Sequence, residues 1–79
     1  MDYCCVTDCV ELRKIMVEQN IKNIRELAEK SGVSRNTLSN VLRGKSQPSA
    51  EVMEKLVICL NMEPSRAGVV FFKLILRDK

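Results

Sequence analysis

Ile24-Arg25-Glu26-Leu27-Ala28-Glu29-Lys30-Ser31-Gly32-Val33-Ser34-Arg35-Asn36-Thr37-Leu38-Ser39-Asn40-Val41-Leu42-Arg43-Gly44 writes two short helices around one glycine. Asn23 stands just before the stretch and Glu26 three residues later. Asn23-x-x-Glu26 therefore reads as a capping box, each side chain satisfying a backbone donor at the other end of the first turn. Ile24, Leu27 and Ala28 form one apolar stripe, and Arg25, Glu26, Glu29 and Lys30 take the solvated positions at i,i+3 and i,i+4 spacing. Gly32 ends this helix, because the left-handed residue that closes a helix costs least as glycine. Val33 is expected in the core as a turn residue and Ser34 as a second N-cap. Leu38, Val41 and Leu42 then recur at helical spacing, leaving Arg35, Asn36, Thr37, Ser39, Asn40 and Arg43 on the opposite face until Gly44 stops the run.

That opposite face has an unusual composition. From Ser31 to Ala50 there is no acidic residue, only Arg35, Arg43 and Lys45 among amides and hydroxyls. An ordinary solvated helix mixes carboxylates with its bases, whereas this face offers nothing that repels phosphate. Arginine reads guanine bidentately, asparagine reads adenine, and a threonine methyl can meet a thymine methyl, so these residue types suit base edges in a major groove. Composition alone leaves a polar surface helix and a DNA-reading helix close together; the tandem caps and the glycine turn favour DNA. Charge is distributed in the same sense. Residues 1–11 carry Asp2, Asp8 and Glu11 and no base, while Leu12 to Gln47 holds eight bases against three acids, within a net charge of +3 for the chain.

The segment from about Leu12 to Leu60 resembles the helix-turn-helix domain of lambdoid repressor and Cro type regulators, the xenobiotic-response-element family of bacteria and phages. Leu27-Ala28, Gly32-Val33-Ser34, Thr37-Leu38-Ser39, Gly44-Lys45 and Pro48-Ser49 carry the resemblance, in the family's order and near its spacing. The connection Asn20–Ile24 departs from it by one extra residue, and the family's common glutamine is missing from the start of the second helix. The resemblance implies an all-α, compact bundle of five short helices whose third helix, Arg35 to Arg43, enters the major groove, with dimers reading inverted half-sites. It also implies residue roles. Arg35, Asn36, Thr37 and Asn40 fall on base-reading positions, and Asn23, Ser34, Arg43, Lys45, Ser46 and Gln47 on positions that touch the phosphate backbone.

Outward from the motif, Thr7 or Asp8 can cap a first helix running to about Gln19, with Leu12, Ile15 and Met16 inward and Arg13, Lys14, Glu18 and Gln19 outward. Ser49 caps a fourth helix through Leu60, with Ala50, Met53, Leu56, Val57 and Leu60 on its core stripe and Val52, Ile58 and Cys59 widening it. Glu63-Pro64-Ser65 opens a fifth, since proline is pre-set for the first helical position, and Arg66 to Phe72 can continue it. The apolar tail, residues 69–79, is harder to assign. Val69 to Leu76 is apolar everywhere but Lys73 and rich in β-branched and aromatic residues, so a terminal strand competes with a longer helix. The tail either folds back onto the fourth helix and Tyr3-Cys4-Cys5-Val6 or meets its copy. Val70 and Phe71 are assigned to the core, and Leu74, Ile75 and Leu76 to a homodimer contact.

At 79 residues a single core is only marginally sufficient, so one domain spanning 1–79, with its motif at 23–44, is expected. At that length no attached sensory domain is expected. The acidic start Met1-Asp2-Tyr3-Cys4-Cys5 does not read as a signal peptide, the apolar tail is too short to span a membrane, and the expected compartment is the cytoplasm. Cys4, Cys5 and Cys9 lack paired Cys-x-x-Cys spacing, histidine is absent, and Cys59 is fifty residues away, so the thiols are expected free and buried, with no metal and no cofactor. Nothing supports an enzyme: there is no histidine, no carboxylate pair and no glycine-rich phosphate loop. The favoured function is sequence-specific binding to a double-stranded DNA operator as a prophage or mobile-element repressor. The alternative is an antitoxin or protein-interaction module that uses the apolar tail.

Overall fold

A computed structural model describes the backbone of residues 2–77 and the side chains of residues 5–74. Five helices succeed one another between two strands: β1 (Asp2–Val6), α1 (Cys9–Glu18), α2 (Ile24–Ser31), α3 (Arg35–Leu42), α4 (Ala50–Cys59), α5 (Pro64–Phe71) and β2 (Lys73–Arg77). The all-α bundle of the sequence reading is present, with a two-stranded sheet at the joined chain ends. Leu12, Ile15 and Met16 of α1, Leu27 of α2, Leu38, Val41 and Leu42 of α3, Leu56 of α4, and Val70 and Phe71 of α5 make one buried core, closed by Ile21, Val33, Leu60 and Met62 from the connections.

Local chemistry sets the helix boundaries. Asp8, not Thr7, caps α1, its carboxylate accepting from the Glu11 N–H at 3.1 Å; Thr7 is buried instead. Asn23, Ser34 and Ser49 cap α2, α3 and α4 by accepting from the third residue on, while α5 starts on Pro64 without a side-chain cap. Three helices close in the same way at their C-terminal ends. After α1, α3 and α4 the chain passes through a left-handed residue, Asn20 (φ 63°), Gly44 (φ 74°) and Asn61 (φ 52°). At each, two N–H groups reach back to the last turn, as in Ile21 to Met16 O (2.8 Å), Lys45 to Asn40 O (2.9 Å) and Met62 to Val57 O (3.0 Å). Two of these three turns use asparagine, which tolerates the left-handed region because its side chain is short and polar.

The tail adopts the strand alternative. β2 pairs antiparallel with β1, in register from Asp2 opposite Arg77 to Val6 opposite Lys73. Cys5 and Leu74 are directly opposed and both exposed, so that face of the ribbon carries apolar surface to solvent. The ribbon is tied to the bundle where it begins and ends: the Asp8 N–H donates to Val70 O at 2.6 Å, and Lys73 Nζ lies 3.7 Å from the Asp8 carboxylate. Farther along, Arg66 grips both oxygens of Glu18 (2.7 and 2.8 Å) and reaches Glu11 at 3.1 Å, fastening α5 to α1. The bidentate hydrogen bond from Arg66, against a smaller desolvation effect, holds the Glu18 carboxyl below the usual carboxylate range.

Several burial expectations need correction. Ala50 is exposed because it begins α4 at the open end of its stripe, and Ile58 is 71% exposed because α4 packs through Leu56, Val52, Met53, Val57 and Cys59. Cys5 is exposed on the ribbon, not buried, and Cys9 and Cys59 are half-buried. All three are free; desolvation pushes the Cys59 thiol up, against a weaker opposing effect from Lys30. The expectation for Cys4 lies outside the described side chains. Among the described residues no helix is long and apolar enough to cross a membrane, and no cluster of three His, Cys, Asp or Glu could hold a metal.

Candidate nucleic-acid interface

The α2–α3 unit presents its polar residues from a rigid frame. Gly32 (φ 77°) closes α2 with its N–H on Ala28 O at 2.9 Å, Val33 sinks into the core, and Ser34 reverses the chain into α3. The Ser34 hydroxyl oxygen accepts from the Thr37 N–H at 3.2 Å, and its O–H donates to the Thr37 hydroxyl at 2.8 Å. Leu38, Val41 and Leu42 fix the inner face of the helix at 1–3% exposure, so the outer face cannot rotate without breaking the core.

On that outer face Arg35 and Asn36 are exposed and Thr37 and Asn40 half-buried. Arg35 sits with Arg25, Ala28 and Glu29 around one shallow depression at the junction of α2 and α3. Ser34, Arg43, Lys45 and Ser46 are exposed near the two ends of α3, and Asn23 is exposed at the start of α2, where its side chain already accepts from the Glu26 N–H at 2.9 Å. Gln47 is exposed as well, but its amide head is engaged by the protein, accepting from Thr7 and donating to Phe71 O.

Ion pairs join Lys14 to Glu11, Arg25 to Glu29, Lys55 to Glu51, Arg66 to Glu11 and Glu18, and Lys73 to Asp8, while Arg13, Lys22 and Lys30 enter none among the described residues. Among the described residues Arg35, Arg43 and Lys45 enter no ion pair. Their charge stays available to an anion outside, and the segment they occupy contains no carboxylate. A helix whose own exposed bases are unpaired and whose segment carries no acid suits polyanion binding, with Glu29 of α2 at its margin beside Arg35.

Two residues not singled out as site elements support α3 from behind. The Arg13 guanidinium donates to Leu42 O at 3.4 Å, and the Cys9 thiol donates to Val41 O at 3.3 Å. Val41 O also accepts from the Gly44 N–H at 3.1 Å, so the thiol adds a second donor there, whereas Arg13 serves the Leu42 carbonyl at the end of α3; Cys9 Sγ would lie 3.9 Å from a Cβ on Gly44. Arg13 reads as a solvated position on α1, and only a count of the orphan carbonyls at the end of α3 hints at its use.

A family model for the helix-turn-helix matches residues 12–66 of the chain. No curated protein and no solved structure matches it significantly.

Proposed function

The chain belongs to the helix-turn-helix transcriptional regulators of the lambdoid repressor and Cro type, a family that binds DNA sequence-specifically, and from that premise we propose that it is a repressor of prophage or mobile-element genes. It acts by occupying an operator and excluding polymerase, in the compartment that holds the DNA. Residues 1–79 work as one domain, and no catalysis is required. The observation that carries this reading is the acid-free face of α3 with Arg35, Arg43 and Lys45 unpaired. In this reading Arg35, Asn36, Thr37 and Asn40 contact base edges in the major groove. Asn23, Ser34, Arg43, Lys45 and Ser46 hold phosphates and fix the register.

A reader this small needs a second half-site for affinity, and a homodimer through Leu74, Ile75 and Leu76 supplies it. What supports that assignment is the exposure of Leu74, with Phe72 and Val69 close by in sequence and also exposed. Selection of binding sites from random duplex DNA tests the whole reading: a palindromic consensus is expected. Affinity should fall with salt by a log–log slope of about −0.9 per phosphate neutralised. Arg35→Ala or Asn36→Ala costs about 1–3 kcal/mol on the selected site and relaxes the preference there, whereas Lys45→Ala weakens cognate and scrambled duplexes alike. Absence of salt-dependent binding to any duplex would reject the regulator and turn attention to the apolar surface of Val69, Phe72 and Leu74 as an antitoxin or adaptor face.

A further inference from the structure

The loop after α3 carries Lys45 and Ser46, and its shape is fixed at three points. At its start, Gly44 turns left-handed while the Gly44 and Lys45 N–H groups bond to Val41 O and Asn40 O at 3.1 and 2.9 Å. At its end, Pro48 is buried and Ser49 caps α4. Between these, Gln47 supplies a long-range tie. Its amide accepts a hydrogen bond from Thr7 Oγ1 at 2.9 Å and donates one to the main-chain oxygen of Phe71.

The chemistry of this tie fixes its orientation. Phe71 O can only accept, so the amide must turn its NH2 there, which leaves its oxygen facing the Thr7 hydroxyl as acceptor. Both partners are buried, Thr7 at 9% and Phe71 at 1% exposure. Both also stand at the joints between bundle and ribbon: Thr7 follows β1, and Phe71 ends α5 with Phe72 alone between it and β2. Cys5, Val6 and Thr7 share a small hollow with Gly44, Lys45, Ser46 and Gln47, so the loop lies along the root of the ribbon.

We propose that Gln47 is a positioning residue, a latch by which the paired chain ends hold the loop Gly44–Gln47 in the shape that presents Lys45 and Ser46 to a phosphate backbone. The inference rests on the reading of Lys45 and Ser46 as phosphate contacts. It assigns Gln47 an indirect role: the amide meets Thr7 and Phe71 rather than the ligand. DNA affinity is thereby linked to the integrity of the β1–β2 ribbon, although the ribbon itself touches no DNA in this arrangement.

The test uses the full chain carrying Thr7→Val, Gln47→Met or both, each close in size to the original and lacking the hydrogen-bonding group. Two readouts are taken: amide exchange of the Lys45 N–H against N–H groups inside α3, and binding to duplex DNA over a salt series. Loss of one net hydrogen bond corresponds to a change of about five-fold. Lys45 exchange should accelerate by at least that factor in either single variant while the interior of α3 keeps its protection. DNA binding should weaken about five-fold in either variant and little further in the double variant, because two halves of one latch are not additive. Thr7→Ser, which keeps the hydroxyl, should restore both values. Thr7 is buried, so a loss of affinity there is transmitted and not a lost contact.

Weakened DNA binding in Gln47→Met with wild-type binding in Thr7→Val would overturn the latch and make Gln47 a direct phosphate contact. Unchanged Lys45 exchange in every variant overturns it as well. Should the unmodified chain bind no duplex, or Lys45→Ala leave binding intact, the phosphate reading fails, and the exchange measurement still decides whether the latch exists.

Discussion

The α2–α3 unit and the joined chain ends are held by opposite kinds of contact. In the motif each cap reaches three or four residues: Asn23 to Glu26, Ser34 to Thr37, Gly32 to Ala28. At the ends the partners are far apart in sequence: Thr7 with Gln47, Arg66 with Glu18, Asp2 opposite Arg77. Local contacts cost little chain entropy to form and need no other part of the fold, whereas distant ones require the bundle to be in place first. The motif should therefore be stable in proportion to its packing, and the ends should open first. A two-stranded ribbon is marginal alone, so amides of β1 are expected to exchange faster than those of α1 and α3.

The largest expected effect comes from removing the motif's packing. Leu38 is 1% exposed on α3, and Leu38→Ala should destabilise the chain by about 2–5 kcal/mol in denaturant unfolding followed by circular dichroism. Since a small domain holds only about 5–15 kcal/mol in total, DNA binding should be lost along with much of the helix signal at moderate temperature. A cost under about 1 kcal/mol, the level of a surface change, would mean that the motif is not anchored through this residue.

The turn comes next in size. Gly32 has φ 77° and nothing within 4 Å of the place a Cβ would take, so Gly32→Ala meets no clash and its cost is conformational alone, about 1–2 kcal/mol. Gly32→Asn should cost less, as Asn20 and Asn61 already occupy that conformation in this chain. Equal losses for alanine and asparagine would show that something other than the left-handed backbone is at work. Ser34→Ala removes the α3 cap and leaves the Thr37 N–H without its partner, for about 1 kcal/mol of stability. Measuring that loss without DNA separates the cap from any contribution of Ser34 to phosphate binding.

Legibility in the sequence follows the same division. Asn23, Gly32, Ser34 and Gly44 declare their roles through residue type and spacing, so the motif and the polar face of α3 are readable from the amino acids alone. The ribbon is readable only in part: the composition of the apolar tail admits a strand and Tyr3-Cys4-Cys5-Val6 is one of the surfaces it could fold onto, but nothing in either segment chooses that partner over a second copy or states that the pairing begins at Lys73. Asn20 and Asn61 do not announce themselves as left-handed closures, because asparagine signals that conformation far less strongly than glycine. Cys9 and Arg13 read as a core thiol and a solvated base, since their carbonyl partners belong to α3, about thirty residues on. Gln47 reads by its place in the motif, and its actual partners come from the two chain ends. The base-facing positions of α3 are readable as a surface, while the contacts supporting that surface come from segments that only folding brings near.

The smallest effect tests the ends through their charges. Arg66 lowers the Glu18 carboxyl below its usual range, chiefly by the bidentate hydrogen bond, so near acidic pH the folded chain binds fewer protons at this site than the unfolded chain. The associated stability is fully present above the unfolded carboxylate value and is lost as pH falls through that value toward the folded one. Arg66→Met removes the cause of the shift. The melting temperatures of the two proteins should therefore differ at neutral pH and converge on acidification, with Arg66→Lys in between because it keeps a charge but not the fork geometry. The pair is largely solvated, which limits its worth and makes it sensitive to salt. If the curves for wild type and Arg66→Met stay parallel from about pH 6 to about pH 3, the range in which an ordinary carboxylate titrates, Glu18 contributes nothing through its charge. The α5–α1 junction would then rest on the packing of Val70 and Phe71 and on the Asp8 N–H bond to Val70 O, and no charge of Glu18 would be needed to hold the ends.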